Sequence, residues 1–342
     1  MKLGVIITHH SYARLPYVID LLHSLNCQTV KDFTVYLVDD SQNKTDFTPF
    51  YECIAKGTLP RVAVKPLPPG YKGKVAWLNA DPAKYGGRPL EPIYFNIRII
   101  QLDVNAGASA ACNAGIDHAL SEGCDTIRIV DGDDIILFPS IEMQLKVLQN
   151  PNINCVSSDK LEFGVCHMGY QTKFSPDHKK FQAQALFWGS AVYKTAVMFK
   201  ASILDKYPNG QLFDDSYKGV GDDIVMNARL GQVGGLACIP APLVYYRRHT
   251  DNLSITQMRV FKEDYARSIR QIFRENCGIE VPLEFSYQYY ETFHKFQNTP
   301  YKDAFVEEAV SYYRQSKYGD IDEIVATAYG ALQVLSQQPP LK

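Results

Sequence analysis

No Cys-x-x-Cys pair occurs in this chain. Its eight cysteines stand apart, at Cys27, Cys53, Cys112, Cys124, Cys155, Cys166, Cys238 and Cys277. Neither a zinc ribbon nor a disulfide framework is indicated, and a cytoplasmic location, reducing toward thiols, is the expectation. No apolar run approaches the ~20 residues that cross a bilayer, so no transmembrane segment is expected. Met1-Lys2-Leu3 leads straight into Gly4-Val5-Ile6-Ile7, too short for the apolar core of a signal peptide. Net charge is nearly absent as well: 35 Lys and Arg stand against 37 Asp and Glu, which gives no general affinity for nucleic acid. Peripheral membrane contact stays open, although no strongly basic amphipathic stretch beyond Gln257 favours it. A dinucleotide-binding domain is disfavoured, because no Gly-x-Gly-x-x-Gly follows the first apolar run.

What is present fits a soluble α/β protein. The 342 residues are 46% hydrophobic and 21% charged, enough for one large core with additions. Leu3 to Ile7 is a compact apolar run, read as a first buried strand. Pro16 to Leu25 carries Val18, Leu21, Leu22 and Leu25 at helical spacing. Phe33 to Val38 is a second strand, ending in Asp39-Asp40-Ser41, so the chain begins as a βαβ unit. From 42 to 95 the rhythm breaks. Pro60, Pro66, Pro68, Pro69, Pro82, Pro89 and Pro92 exclude helix interiors and central strands there. An irregular insertion is expected, with a short helix near Phe50 to Ala55; its Lys65, Lys72 and Lys74 suit either a diphosphate or plain solvent. Regular structure resumes at Phe95 to Leu102. The small residues from Asn105 to Gly115 then open a helix able to approach a sheet or a ligand closely.

The stretch richest in chemistry is Thr126-Ile127-Arg128-Ile129-Val130-Asp131-Gly132-Asp133-Asp134. Its β-branched residues predict a buried strand that delivers three carboxylates at its end. On an extended backbone, residues two apart point the same way. Asp131 and Asp133 are therefore placed to share one hard cation, Mg2+ or Mn2+, completed by substrate phosphates. Open α/β sheets bind ligands at the carboxyl ends of their strands. The plainer alternative is a turn that merely ends the strand.

Further on, Pro139 to Leu148 predicts an amphipathic helix, and residues 153 to 165 and 183 to 200 alternate as strands. Between them, His167, Tyr170, Phe174, His178, Phe181 and Trp188 offer either a face for a sugar ring or ordinary aromatic packing. Gly219 to Leu230 opens a helix with Asp222 and Asp223 in its first turn, where the helix dipole favours acids. Gly235 to Ile239 and Leu243 to Tyr246 read as short strands, followed by Arg247-Arg248-His249. Beyond Gln257 the pattern is helical, with further helices expected at Glu291 to Gln315 and Ile321 to Leu335.

In their order these segments resemble the inverting glycosyltransferases of family 2, which have the GT-A fold. Val38-Asp39-Asp40-Ser41 resembles the loop that contacts the nucleoside. Asn105-Ala106-Gly107 through Asn113-Ala114-Gly115 resembles the Asn-x-Gly and Ala-Arg-Asn-x-Gly segment, and Asp131-Gly132-Asp133-Asp134 the Asp-x-Asp motif. Gly221-Asp222-Asp223 resembles the Glu-Asp motif. Arg247-Arg248-His249 with Asn252 and Ser254 resembles the Arg-x-His-x-x-Asn-x-Ser tail. The chain departs from the pattern at His9-His10, where Tyr-Asn is usual, at Cys112, where Arg is frequent, and at Asp222, where Glu is usual. Its insertion after Ser41 is also longer than typical.

The resemblance implies an open mixed, mostly parallel sheet flanked by helices over residues 1–256, with 42–95 as the insertion and 257–342 as a C-terminal helical extension. It implies transfer of a sugar from a nucleotide diphosphate sugar, UDP-sugar favoured, to a hydroxyl of a glycan, glycoprotein or glycolipid acceptor. Nucleotide-sugar contacts would come from Thr8, His9, Asp39, Asp40, Asn105, Gly107, Asn113, Asp131, Gly132, Arg247 and Arg248. Mn2+ or Mg2+ would sit on Asp133 with Asp131 and His249, although Asp131 could instead hold ribose hydroxyls. Trp188 and Gly189 would meet the acceptor. Asp223 would be the general base, with Asp222 its neighbour or substitute. Three other classes share parts of this pattern. A sugar-phosphate nucleotidyltransferase usually shows a Gly-rich basic loop near its first strand, absent here. A phosphatase of the Asp-x-Asp-x-Thr type needs its nucleophile at the first strand. A non-catalytic nucleotide-sugar-binding module would bind donor without transfer.

Overall fold

The computed structural model describes residues 1–41, 47–60, 90–164, 169–171, 182, 185, 191–217, 221–249, 252, 258–294, 302–315 and 322–326. Among the described residues, strand β1 (Leu3–His9) lies at the heart of a nine-stranded sheet. It pairs in parallel with β2 (Phe33–Asp39) on one side and with β6 (Thr126–Asp131) on the other. Strand β5 (Asn96–Gln101) extends the parallel half beside β2. Beyond β6 the short β10 (Met198–Lys200) runs antiparallel and joins it to β8 (Cys155–Gly164). Strand β11 (Leu236–Arg248) then runs parallel to β8, with β7 (Ile135–Ile136) on its far edge and β9 (Gly169–Gln171) also on β8. The long ladders are parallel and the short ones antiparallel. The architecture is the expected mixed, mostly parallel one.

Helix α1 (Leu15–Asn26) takes Pro16 in its first turn and buries Val18, Leu21, Leu22 and Leu25, the stripe that the spacing predicts. It packs on the sheet face that carries Val5, Ile7 and Val130. The opposite face, with Ile6, Val38, Ile127 and Ile129, is covered by α3 (Ala108–Ser121). The small residues of α3 serve this contact. A Cβ placed on Gly115 would stand 2.5 Å from Ile6. Between them lies α2 (Thr48–Ala55), then β3 (Thr58–Pro60) paired with β4 (Leu90–Pro92). Lys65, Lys72 and Lys74 fall outside the described residues.

Two strand expectations are corrected. Among the described residues of 183 to 200, only the last three form a strand; Lys194–Ala196 is a tight 3-10 turn. The two strands foreseen between 235 and 246 are one strand, β11, whose register slips at Pro242 because a proline cannot donate to the ladder. Helix α4 (Ser140–Leu148) starts just after Pro139.

Helix α5 (Asp222–Val233) is held from two sides. Met226 and Leu230 enter the sheet's core, whereas Ile224 and Ala228 enter a separate cluster formed with the helical extension. That extension comprises α6 (Met258–Cys277), α7 (Leu283–Tyr289) with a wide turn from Tyr290 to His294, α8 (Lys302–Tyr313) and a short helical stretch at 322–326. Of the helix foreseen from Glu291 to Gln315, the described residues are the wide turn as far as His294 and α8 from Lys302. Among the described residues no helix is long and apolar enough to cross a membrane.

Candidate active site

The acids gather where β6 ends. After Asp131 the chain turns through Gly132 and Asp133, so the strand's alternation stops and the two carboxylates part. Asp131 Oδ1 lies 3.0 Å from Lys194 Nζ. Asp133 Oδ2 lies 2.9 Å from His249 Nε2 and 3.9 Å from Arg14 Nη1. Gly132 must be small, because a Cβ there would meet the Thr8 carbonyl at 2.6 Å. Burial pushes the Asp133 carboxyl up, but the hydrogen bond with His249 and the nearby Arg14 outweigh it and hold Asp133 below the ordinary value. Asp134 is fully buried. Burial, then repulsion from Asp133 and Asp131, raises its pKa well above the ordinary value, while its Oδ1 accepts from the Arg247 backbone N–H at 2.9 Å.

Arg247 braces this turn rather than facing an open cleft. Its side chain is 1% exposed; Nε donates to the Asp133 carbonyl at 2.6 Å and Nη2 pairs with Asp20 at 3.2 Å. The guanidinium lies between the rings of Tyr17 and Phe163. Arg248 is turned to Glu162, with bonds of 2.8 and 3.2 Å. His249 is fixed by Asn252, whose Oδ1 accepts from the His249 N–H at 2.7 Å. Ser254 lies outside the described residues.

The second cluster forms at the start of α5. Gly221 has φ 90°, and a Cβ on it would stand 2.6 Å from Ser268 Oγ of α6. The sharp entry requires glycine. Asp222 points inward, with Oδ2 3.4 Å from Lys194 Nζ and its side chain 6% exposed. Asp223, one residue on, is exposed. Its carbonyl accepts from Asn227 Nδ2 at 2.7 Å. Lys194 thereby joins Asp131 to Asp222. Neither Lys194 nor Asn227 stands out in the sequence; the signal for Lys194 is a lone cation in the apolar run Ala191-Val192-Tyr193-Lys194-Thr195-Ala196.

At the ends of β1 and β2 the third group collects. The His9 ring lies 4.8 Å from the Phe47 ring, and its Nε2 is 3.2 Å from the Tyr51 hydroxyl. Asp39 Oδ1 accepts from the Ser41 N–H at 2.9 Å and its Oδ2 from Gln101 Nε2 at 3.3 Å. Asp40 is spent on the entry to α3, its two oxygens accepting from the N–H groups of Ala106 and Gly107 at 2.6 and 2.9 Å. Asn105 Nδ2 donates to the Asp40 carbonyl at 2.8 Å. Asn113 ties α3 to the loop ahead of α5, donating to the Phe213 carbonyl at 3.1 Å and to Asp215 at 2.5 Å. Phe47 and Tyr51 add an aromatic wall that the sequence did not single out. Trp188 and Gly189 lie outside the described residues.

Burial lowers the His9 pKa from 6.5 to about 4, with Asp39 opposing and His10 adding. The unfolded chain takes up this proton as pH falls through 6.5; the folded chain does not until about 4. Stability should therefore fall with pH across that window, by up to ~3 kcal/mol from this group. His9→Gln should lose less stability than the parent between those limits in denaturant titrations; equal losses would place the titrating group elsewhere.

A divalent cation fits the Asp133–His249 pair by donor chemistry, one carboxylate oxygen and one imidazole nitrogen meeting at 2.9 Å beside further acids. Among the described residues no group of three or more His, Cys, Asp and Glu is arranged to hold a metal. Two protein ligands would need completion by substrate phosphates and water.

Residues 88–207 match the model of "Glycosyl transferase family 2". No curated protein matches the chain in sequence. Among solved structures, S. aureus TarS is similar over 96% of this chain at 14% identity and a TM-score of 0.56, and this chain spans 55% of the TarS chain's length. S. aureus TarS 1-349 in complex with UDP-GlcNAc is similar over 98% of this chain and 92% of its own, at 15% identity and a TM-score of 0.58. These likenesses show the GT-A fold.

Proposed function

We propose, from the premise that the chain is a glycosyltransferase of family 2, that it moves a sugar from a nucleotide diphosphate sugar to an acceptor hydroxyl with inversion, aided by Mn2+ or Mg2+. The observation that carries the reading is the pairing of two acidic stations at one end of the sheet. One is the Asp133–His249 pair; the other is the exposed Asp223, next to an Asp222 already engaged by Lys194. A UDP-sugar is favoured as donor, the class bound by TarS 1-349 in its complex. The acceptor is a glycan, glycoprotein or glycolipid.

The division of labour follows from charge. When bound, the cation supplies Lewis-acid stabilisation of the leaving diphosphate. Asp133 and His249 would hold it, and Arg247 keeps the Asp133 turn in place through its carbonyl. His9, Phe47 and Tyr51 form a wall against which the nucleoside would lie, with Asp39 and Asp40 shaping the floor beneath. Asp223 takes the proton of the acceptor hydroxyl as that oxygen attacks the anomeric carbon from the side opposite the diphosphate. Asp222 is the weaker candidate, since its carboxylate is committed to a lysine.

Calorimetry with a panel of nucleotide sugars, with and without Mn2+, tests the donor reading. Binding of one donor strengthened at least tenfold by Mn2+ is expected, on the scale of a charge-assisted contact worth ~1.5–3 kcal/mol. Tight binding without transfer to any acceptor and without donor hydrolysis would make the chain a binding module instead.

A further inference from the structure

We infer that Lys194 is a positioning residue for the transfer, a fixed ammonium that ties Asp131 on the donor side to Asp222 on the acceptor side. The inference rests on the reading of Asp223 as base in one respect: the tie sets where the first turn of α5 presents that residue.

Geometry comes first. Lys194 Nζ stands 3.0 Å from Asp131 Oδ1 and 3.4 Å from Asp222 Oδ2, and the three side chains are 14%, 29% and 6% exposed. Asp131 is the last residue of β6 and Asp222 the first of α5, so one cation spans the two elements that carry the two acidic stations. Burial alone would make the ammonium easier to deprotonate. The carboxylates of Asp131 and Asp222 outweigh this and hold it charged. Cys112, buried beside it, stays a thiol, its pKa pushed up to about 12, and adds no charge of its own near neutrality.

Several contacts fix the turn that carries Lys194. Asn227 Oδ1 accepts from the N–H groups of Ala191 and Val192 at 2.9 and 2.6 Å, and Asn227 Nδ2 donates to the Asp223 carbonyl at 2.7 Å. One amide of α5 thus clips the approach to Lys194 onto the helix turn that bears Asp222 and Asp223. The Tyr193 ring lies 3.8 Å from the Lys160 ammonium. Downstream, the Ala196 carbonyl accepts from Gln144 Nε2 at 2.7 Å and the Val197 carbonyl from the Ile129 N–H at 3.3 Å. A lysine so placed loses little rotamer freedom when it pairs. Buried ion pairs are weak sources of stability, because desolvation offsets their attraction. A cation held between two cleft carboxylates is better explained by what it positions: errors of about an ångström at a reacting centre cost ~10²-fold in rate.

Lys194→Met tests the inference, with Lys194→Arg, Asp222→Asn, Asp223→Asn and the double variant Lys194→Met/Asp222→Asn beside it. Lys194→Met should lower kcat ~10²-fold while donor KM changes far less, because alignment rather than donor binding is lost. Lys194→Arg should recover part of kcat. The double variant should be little worse than the poorer single one, as for residues acting as a unit. If Lys194→Met does not fold, Lys194→Gln is read in the same way. A wild-type kcat in Lys194→Met, or independent losses that multiply in the double variant, would overturn the proposal. If Asp223→Asn turns over normally, the base assignment fails. If Asp223→Asn is inactive while Lys194→Met is not, only the positioning role fails.

Discussion

Replacement of Asp133 by alanine is expected to abolish transfer and to remove the dependence of donor binding on Mn2+. Asp133 Oδ2 is the carboxylate oxygen that meets His249 Nε2, at 2.9 Å, and the hydrogen bond with His249 and the nearby Arg14 help hold it ionised. Without it, one imidazole remains where a hard cation needs oxygen. Lewis-acid stabilisation of a leaving group is worth several kcal/mol, so the expected loss is ~10²–10³-fold or more in turnover. The turn itself should survive, since Arg247 grips the Asp133 carbonyl rather than its side chain. His249→Ala should give a comparable or smaller loss. Transfer rates and donor affinities, each with Mn2+ and with excess chelator, decide the matter. A parent protein equally active in chelator would sink the metal reading, whatever Asp133→Ala does.

Much of this arrangement was legible in the sequence, and the reason is chemical. β1, β2 and β6 are β-branched or aliphatic runs that end abruptly in polar residues, so their type and their exit point are both written locally. The acids at those exits follow at once. What was not legible depends on contacts between distant segments. Extended geometry predicts that Asp131 and Asp133 point together, but the turn at Gly132 sends one to Lys194 and the other to His249. Asp40 looks like a ligand contact in sequence, yet its carboxylate receives both N–H groups that open α3, 66 and 67 residues away. Arg247 and Arg248 form a basic pair in the chain and part in the fold, one to the Asp133 turn and the other to Glu162. No local pattern distinguishes an arginine that holds a loop from one that holds a phosphate.

The helical extension has a comparable hidden role. It carries no chemical motif, yet it forms the outer wall of the acidic corner. Ser268 Oγ donates to the Gly221 carbonyl at 3.2 Å, and Glu275 takes a two-point bond from Arg229 of α5 at 2.6 and 3.0 Å. Gln271 Nε2 donates to that same Glu275 at 2.8 Å and to Asp214 at 2.5 Å, in the loop that leads to α5. Helix α5 is thus fixed between the sheet's core and the extension's own core, and Asp223 projects from the rigid element that results.

Asp223→Asn is expected to keep donor and metal binding while transfer falls by ~10²-fold or more, the usual scale of general-base assistance. The substitution preserves size and polarity, but an amide cannot take up the acceptor's proton. Two features favour Asp223 over Asp222. Asp223 is exposed, whereas Asp222 is 6% exposed and bound to Lys194. Asp223 also lies in the first turn of α5, where the helix dipole favours the ionised form that a base must have before attack. A purely structural Asp223 predicts the opposite pairing of results: a loss of ~1 kcal/mol in stability, typical of a helix N-terminal acid or cap, with catalysis little changed. Melting temperature, donor affinity and transfer rate measured on Asp223→Asn and Asp222→Asn separate these cases. Full activity in Asp223→Asn with an inactive Asp222→Asn would move the base one residue back and leave the glycosyl-transfer reading intact. Full activity in both would remove general-base catalysis from this corner of the fold altogether.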